Sequence, residues 1–597
     1  MTAGYNCAMT QPGILFQHFY YPTPDLPAER SWWKQATAQL AELAALGVWG
    51  VWHPVPTKGG SGRNSMGYDP YDYYDLGSKD QRGSVATHFG TRDEYLAYVA
   101  AAHTHGLSVI ADVVLNHCGG ADQAQLSPVQ ETLGWDDIPD DSKVPTDHLP
   151  PGYDPKRDNL RAWSGFNPKG ASGQRGTGRF PRDARHFHPT VLHPDHNAPY
   201  HHPDFGSDFC FEAENGYVAK SFLAWSEWFV KQSGVDGYRL DAVKLMEPEF
   251  LRDFAAATRP GSYLVGEFWD TNAKLLADFQ SRTERRMKLF DFGLYYALRD
   301  MMTKPDFDMR ELLTRRFADR ERSVMFVSNH DVDRDNSLPR DKRGLPYAVM
   351  MAMAGQPSIF HLDYLGQDTR PYSLKHTLRN LTSLYNSLCW GKESVLLATK
   401  DMLALERESG LIAVLVRPGG PRELVIPTRW KKRQMAPVGN DFDASILLPG
   451  PTTDAQGNLH LSLSDTTPYG IWEFYAPLER TRERPLRRTP RPTTQTFEFA
   501  NDLDTGRLGE GQRTVQVTAK GGSELVARLT GTYGEGSVLM ELRDSQNRGV
   551  AAATAQRGRA VVLRARIPTD GTYRFLITAP GNPTTGELAI TYLGATR

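Results

Sequence analysis

The stretch Val218–Lys244, VAKSFLAWSEWFVKQSGVDGYRLDAVK, decides the fold. Its first half sets Val218, Phe222, Trp225 and Phe229 at steps of four, three and four, which puts them on one face of a helix. Its second half, from Val235 to Leu240, is an apolar run of strand length that ends in a charged tip at Asp241–Lys244. A helix feeding a short buried strand is the repeating unit of a parallel sheet.

The unit recurs along the chain. Apolar runs stand at Ile14–Phe19, Val48–Val55, Leu107–Leu115, Tyr263–Phe268, Lys288–Leu294, Ser323–Ser328 and Pro357–Leu362, with helical patterns between them. With Val235–Leu240 they make eight, the number that closes a barrel. The predicted fold class is α/β, a (β/α)8 TIM barrel over residues 1–117 and 208–390. About 120 residues separate the third run from the fourth, and 118–207 are rich in Pro, Gly, Asp and His without periodicity. That segment is read as a small inserted domain after strand 3. On a parallel barrel such an insertion sits at the active face and walls a cleft.

Beyond residue 390 the pattern changes to short alternating strands, such as Leu411–Val416 and Tyr469–Tyr475, so 391–478 is read as a β domain. Residues 479–495 open with ERTRERPLRRTPRP, a Pro/Arg-rich extended linker. Residues 496–597 alternate again, as in Val561–Ile567 and Tyr573–Thr578, and predict a C-terminal β-sandwich. Tyr533, Tyr573 and Tyr592 are its candidate sugar-stacking aromatics, and a stabilising accessory role is the plainer reading.

Composition narrows the function. A 597-residue chain exceeds one core and implies about three or four domains. A formal charge of −2, with 23% charged residues, argues against nucleic-acid or membrane-surface binding. No run of about 18 apolar residues predicts a membrane span. Met1–Gly13 lacks a basic region followed by an apolar core, so no signal peptide is expected, and the chain reads as cytoplasmic or as a mature secreted form. Cys7, Cys118, Cys210 and Cys389 show no paired spacing and are expected as buried thiols, with Cys118 and Cys210 able to meet at the barrel top. The six histidines of His186–His202 lack a diagnostic metal-ligand spacing and are read as loop hydrogen-bonding groups.

Four strand ends carry the chemistry: Asp112–His117 (DVVLNH), Gly237–Lys244 (GYRLDAVK), Gly266–Trp269 (GEFW) and Phe326–Asp331 (FVSNHD). One charged strand end is explained as well by a buried structural pair. Several together, supplying carboxylates and imidazoles at one barrel face, are hard to explain as packing. Carboxylates converging in a cleft suit glycosidic cleavage: one attacks the anomeric carbon, another protonates the leaving oxygen and later activates water. Arg239 stands two residues before Asp241, on the same strand face, where a guanidinium orients the nucleophile and keeps it ionised.

These four motifs, in this order, resemble the α-amylase family, glycoside hydrolase family thirteen, over roughly residues 14–475. Within it the chain is similar to bacterial liquefying-type and plant-type α-amylases, on the stretches GILFQHFY near the N-terminus, GYDPYDYYDLG at Gly67–Gly77 and HFGTRDEYLAYVAAAHTHGLSVIADVVLNH at His88–His117. The resemblance implies Asp241 as nucleophile, Glu267 as general acid/base and Asp331 as the third carboxylate that grips the distorting ring. It implies substrate-binding roles for Tyr68, His117, Arg239, Lys244, Trp269 and His330, and casts Asp112 as a buried partner of Arg239. It also implies a structural calcium between barrel and insertion, held by Asn116, Asp208 and the backbone carbonyl of Leu245, where relatives carry His. Another departure, FHLD at Phe360–Asp363 against FYGD in relatives, falls at the eighth strand end and is expected to alter the rim of the cleft.

The expected activity is retaining, endo-acting hydrolysis of α-1,4-glucosidic bonds in starch and maltodextrins by a monomer. Its alternatives are an exo-acting maltooligosaccharide-forming enzyme, a transglycosylase or isomerase of the same family, and an inactive glucan-binding protein. Retention of Asp241, Glu267 and Asp331 argues against the last.

Overall fold

The computed structural model describes residues 13–24, 26–124, 163–167, 176–187, 207–366, 374–438, 450–463, 469–478, 493–499, 506–507, 512–519, 521–532, 537–556, 561–578 and 585–593. Eight parallel strands close into a barrel: β1 (Leu15–Gln17), β2 (Gly50–His53), β3 (Ser108–Val113), β4 (Gly237–Leu240), β5 (Tyr263–Gly266), β6 (Lys288–Phe290), β7 (Ser323–Phe326) and β8 (Gln356–Phe360). Each strand pairs with its sequence neighbours, and β8 closes on β1 through Leu15↔Ser358. The closed fold is the (β/α)8 barrel that the eight apolar runs imply.

Every strand is shorter than its apolar run, and at two of them the reason is plain. The sixth stops at Phe290 because Asp291 caps a helix, accepting from the Leu294 amide at 2.9 Å, and so diverts the chain. The eighth stops at Phe360, where His361–Tyr364 coil into a helical turn. His361 does not reach the rim of the cleft. It is buried beside His18, Tyr20 and Trp32, so the departure from FYGD alters the packing beneath the first helix.

Helices α1 (Trp32–Leu46), α2 (Arg92–Thr104) and α3 (Ala213–Ser233) flank the first half of the barrel. Val218, Phe222, Trp225 and Phe229 all turn inward on α3, where Trp225 and Phe229 stack at 5.0 Å. Helix α2 differs from the others. Ten of its residues are buried, including Tyr95 and Tyr98 on one side and Ala97, Ala100 and Ala101 on another. A helix buried on most of its sides must be covered on most of its sides.

The cover comes from the far end of the chain. Two sheets make the C-terminal sandwich: a four-stranded one ordered Thr493–Phe499, Thr585–Leu593, Glu524–Thr532, Val561–Arg566, and a five-stranded one ordered Gly506–Arg507, Gln512–Ala519, Gly571–Thr578, Ser537–Arg543, Gly549–Gln556. Strand Gln512–Ala519 runs along α2, and Thr493–Phe499 along α3. Tyr573 is buried in the sandwich core, its hydroxyl donating to the Thr569 carbonyl, so it is no stacking platform. The side chains of Tyr533 and Tyr592 lie outside the described residues.

In chain order between barrel and sandwich comes a five-stranded sheet ordered Glu393–Ala398, Met402–Arg407, Ile412–Val416, Ile471–Pro477, Met435–Val438, with a hairpin of Glu423–Pro427 and Asn458–Ser462. Its core is Met402, Ile412, Val414, Leu424, Ile426 and Leu459. Most of segment 118–207 and of the linker lies outside the described residues, as do Cys7 and all but His186 of the six clustered histidines. The described part of the insertion is tied to the barrel by an aromatic cluster of Phe180 and Phe187 against Tyr73, Phe209 and Phe222. Cys118, Cys210 and Cys389 are buried thiols outside any disulfide, so Cys118 and Cys210 do not form a bridge.

Candidate active site

Register builds the site. Arg239 on β4 pairs with Asp112 on β3 and with Val265 on β5, so the next inward-facing positions, Asp241 and Glu267, leave the barrel side by side. The Arg239 guanidinium, 1% exposed, ties three carboxylates together. Nη1 donates to Asp112 Oδ1 at 2.9 Å and to Asp241 Oδ1 at 2.6 Å, and Nη2 meets Glu267 Oε2 at 2.9 Å. Such charge-assisted bonds at close range fix orientation as well as charge.

Ala242 follows Asp241 in the left-handed region, at φ 48° and ψ 37°, a conformation that costs a non-glycine residue about 1 kcal/mol or more. The turn brings its amide to 3.3 Å from Glu267 Oε2, while the Val243 amide donates to the Glu267 carbonyl. Local strain is thus spent on holding the Asp241 and Glu267 tips together.

Asp112 is the hub on the other side. Its Oδ2 accepts from Tyr68 Oη at 2.8 Å and Trp52 Nε1 at 3.1 Å. Tyr68 Oη also lies 2.8 Å from His330 Nε2, and Gln17 Nε2 lies 2.9 Å from His330 Nδ1. Since the tyrosine proton goes to Asp112, the network assigns the imidazole proton to Nε2, with Nδ1 accepting from Gln17. The Tyr68 and His330 rings stack at 5.3 Å and 9°. His330 Nε2 is 3.2 Å from Asp331 Oδ2, and Asp331 Oδ1 accepts from Arg334 at 3.1 Å. His117 Nε2 donates to the Tyr68 carbonyl at 2.9 Å and holds that loop from below.

Burial sets the protonation states. Desolvation pushes Glu267 up to about 8 against the pull of Arg239, with Asp241 and Asp331 adding to the rise. Desolvation also lifts Asp241, to about 6, with Arg239 restraining it. Asp112 moves up by the same cause. His330 is lowered to about 4 and His117 is lowered, both by burial, so both rings are neutral near pH 7. At that pH one tip, Asp241, is a carboxylate and the other, Glu267, a carboxylic acid.

Lys244 and Trp269 stand at the rim. Lys244 pairs with Asp270 at 2.8 Å. Trp269, 39% exposed, stacks on Phe292 at 4.7 Å and donates through Nε1 to Tyr296 at 2.8 Å, leaving an indole face to solvent beside Glu267. Gln17, Trp52 and Arg334 were not among the residues singled out from sequence. Gln17 left a trace there, as a polar side chain inside the apolar stretch GILFQHFY.

The calcium residues come together only in part. The Asn116 amide nitrogen lies 2.6 Å from Asp208 Oδ1, across the two-residue ladder His117–Cys118 with Ser207–Asp208. Among the described residues no group of three or more His, Cys, Asp or Glu side chains could hold a metal ion. Asn116, Asp208 and one carbonyl fall short of the about six to eight oxygens that calcium takes.

A closed parallel barrel whose C-terminal rim gathers buried carboxylates around one arginine defines the class: a barrel glycoside hydrolase. The comparisons agree. The family model for the alpha-amylase catalytic domain matches residues 33–387. The chain is 28% identical over 480 residues to an alpha-amylase of Geobacillus stearothermophilus, covering 71% of this chain and 83% of that one. It is 26% identical over 465 residues to a glucan 1,4-alpha-maltohexaosidase of Bacillus sp. (strain 707), covering 71% and 86%. In fold it is similar to the alpha-amylase of Geobacillus thermoleovorans solved with acarbose, at TM-score 0.51 and 20% identity over 79% of this chain and 99% of that one. The chain belongs to the alpha-amylase family.

Proposed function

We propose that the chain hydrolyses α-1,4-glucosidic bonds of starch and maltodextrins, with retention, by endo attack. The observation that carries this is the shared grip of Arg239 on Asp241 and Glu267, two carboxyl groups held together yet pushed apart in acidity, to about 6 and about 8. Asp241 attacks the anomeric carbon as the Glu267 proton passes to the glycosidic oxygen, and the leaving chain departs as an alcohol. Glu267, now a carboxylate, takes a proton from water. The water oxygen then displaces Asp241 and regenerates both groups. Asp331 takes hydroxyls of the distorted sugar, the stacked Tyr68 and His330 form the ring's floor, and His117 keeps Tyr68 in place. Lys244 and the open face of Trp269 receive the departing chain beside Glu267.

A structural calcium at the seam where Asn116 meets Asp208, with the Leu245 carbonyl as a third donor, would have to draw its remaining oxygens from water. No catalytic step runs through it. An exo-acting, maltooligosaccharide-forming reading has its own support in the likeness to a maltohexaosidase. The test is soluble starch with wild type and Glu267→Gln, following viscosity and reducing sugar together. Fast thinning by wild type and none by the variant upholds endo attack. Sugar release without thinning selects the exo reading, and absence of both sinks the α-glucanase claim.

A further inference from the structure

A second buried ion network lies behind Asp331, and the chemistry above does not use it. Arg343, 1% exposed, is held on three sides. Nη2 donates to Asp333 Oδ1 at 2.8 Å, Nη1 to Asp363 Oδ1 at 2.6 Å, and Nε to the Leu338 carbonyl at 3.0 Å. Arg340 also bonds Asp333, and Tyr347 Oη donates to the other Asp363 oxygen at 2.7 Å. Two arginines thus balance two aspartates in a largely buried site.

The network joins two loops of the catalytic face. Asp363 lies in the turn after β8, and Asp333 closes the tight turn that carries Asp331. In that turn the Asn329 side chain accepts from the amides of Asp331 and Val332, both at 2.9 Å, and the Asp333 amide donates to the Asn329 carbonyl at 3.1 Å. A turn closed on itself this way moves as one piece. What fixes Asp333 therefore fixes Asp331.

We propose that Arg343 is a positioning residue for Asp331, anchoring the Asn329–Asp333 turn to the end of β8 so that the third carboxylate faces Asp241 and Glu267. The proposal rests on the reading of those three carboxylates as the reacting set. Positions within a fraction of an ångström govern how well such a group acts. The Asp331 charge is also one of the groups that lift Glu267 and Asp241.

The test is the pH dependence of kcat/KM on soluble starch for wild type, Arg343→Lys, Arg343→Met and Asp363→Asn. Arg316→Met serves as a control, because Arg316 and Glu393 form a buried ion pair remote from this turn. Loosening the turn draws the Asp331 charge away, so the alkaline limb set by Glu267 moves to lower pH by about half a unit or more, and kcat/KM falls about tenfold or more. In Arg343→Met, direct loss of a nearby positive charge would move that limb the other way, so there the sign separates the two causes, whereas Asp363→Asn, whose lost negative charge would itself lower the limb, is read by kcat/KM. Arg343→Lys keeps the charge and recovers part of the rate. The control lowers the melting temperature and leaves both limbs in place. Should Arg343→Met fail to fold, Arg343→Lys and Asp363→Asn, which leave a cation or loosen one arm only, decide the question. Unmoved limbs in those folded variants, with wild-type kcat/KM, would overturn the positioning role while leaving the hydrolase reading intact. A wild type inactive on starch would instead overturn the reading beneath it.

Discussion

Substituting Glu267 by Gln keeps the side chain's shape and removes its proton, and the consequence can be worked from the site. With Asp241 at about 6 and Glu267 at about 8, the active form has the first ionised and the second protonated. Activity therefore rises with pH through about 6 and falls again through about 8. The competent form therefore prevails between those two limbs and is lost on either side of them. Because Asp112, Asp241 and Glu267 share Arg239, the limbs belong to the set and not to single residues. Glu267→Gln should lower kcat/KM on starch about 10²–10⁴-fold and erase the alkaline limb, leaving the acid limb. Initial rates from pH 4 to pH 10 measure both, on starch and on an aryl maltooligosaccharide whose leaving group needs little protonation. The aryl substrate should lose far less rate. An alkaline limb that survives in Glu267→Gln, or a variant equally crippled on both substrates, would refute the assignment of the acid.

Three further outcomes are expected. Burial lowers His18 to about 4, so it is neutral in the fold and protonated more readily in the unfolded chain. Its contribution is fully present above about pH 6.5 and is lost as pH falls towards 4. Against wild type, His18→Gln should flatten the melting curve's pH dependence there by about one proton, about 1.4 kcal/mol per pH unit, and parallel slopes would exclude this. Gly237→Ala puts a Cβ 1.9 Å from the Tyr263 carbonyl oxygen on the neighbouring barrel strand, whereas Gly549→Ala meets nothing within 4 Å. The first should cost about 3 kcal/mol or more and the second almost nothing, by denaturant unfolding. Chelation with EDTA should lower the melting temperature if calcium sits at the Asn116–Asp208 seam, with both pH limbs unmoved. An unchanged melting temperature removes the ion from the proposal.

The barrel was legible because a buried parallel strand has to be apolar over its length, and because its charged tips interrupt that run. Arg239 and Asp241, two apart, announced a shared face before any register was known. The part that escaped the sequence is what acts sideways between strands. Asp112 read as a structural partner of one arginine, yet Tyr68, Trp52 and Arg239 all converge on it. That convergence depends on β2, β3 and β4 lying in order, which no spacing encodes. The Arg343 network escaped for the same reason: Asp333, Arg343 and Asp363 are spread over thirty residues of loop and helix. His361 was visible as a departure, but its burial followed from α1 folding across the end of β8. The insertion had no periodicity to read, since its described part is held by loop aromatics and not by regular elements.

The covering of α2 by the strand Gln512–Ala519 has a consequence for how the molecule is made. About 400 residues separate the two, so at about 5–20 residues per second the ribosome needs about 20–80 s to deliver the partner after the helix has emerged. Throughout that interval the side of α2 that the strand later covers has only water against it, on a nascent chain whose barrel cannot close until β8 arrives. The final hundred residues thus decide how long an apolar surface waits uncovered, and a chaperone that shields that flank during synthesis would raise the yield of folded protein without touching its stability once complete.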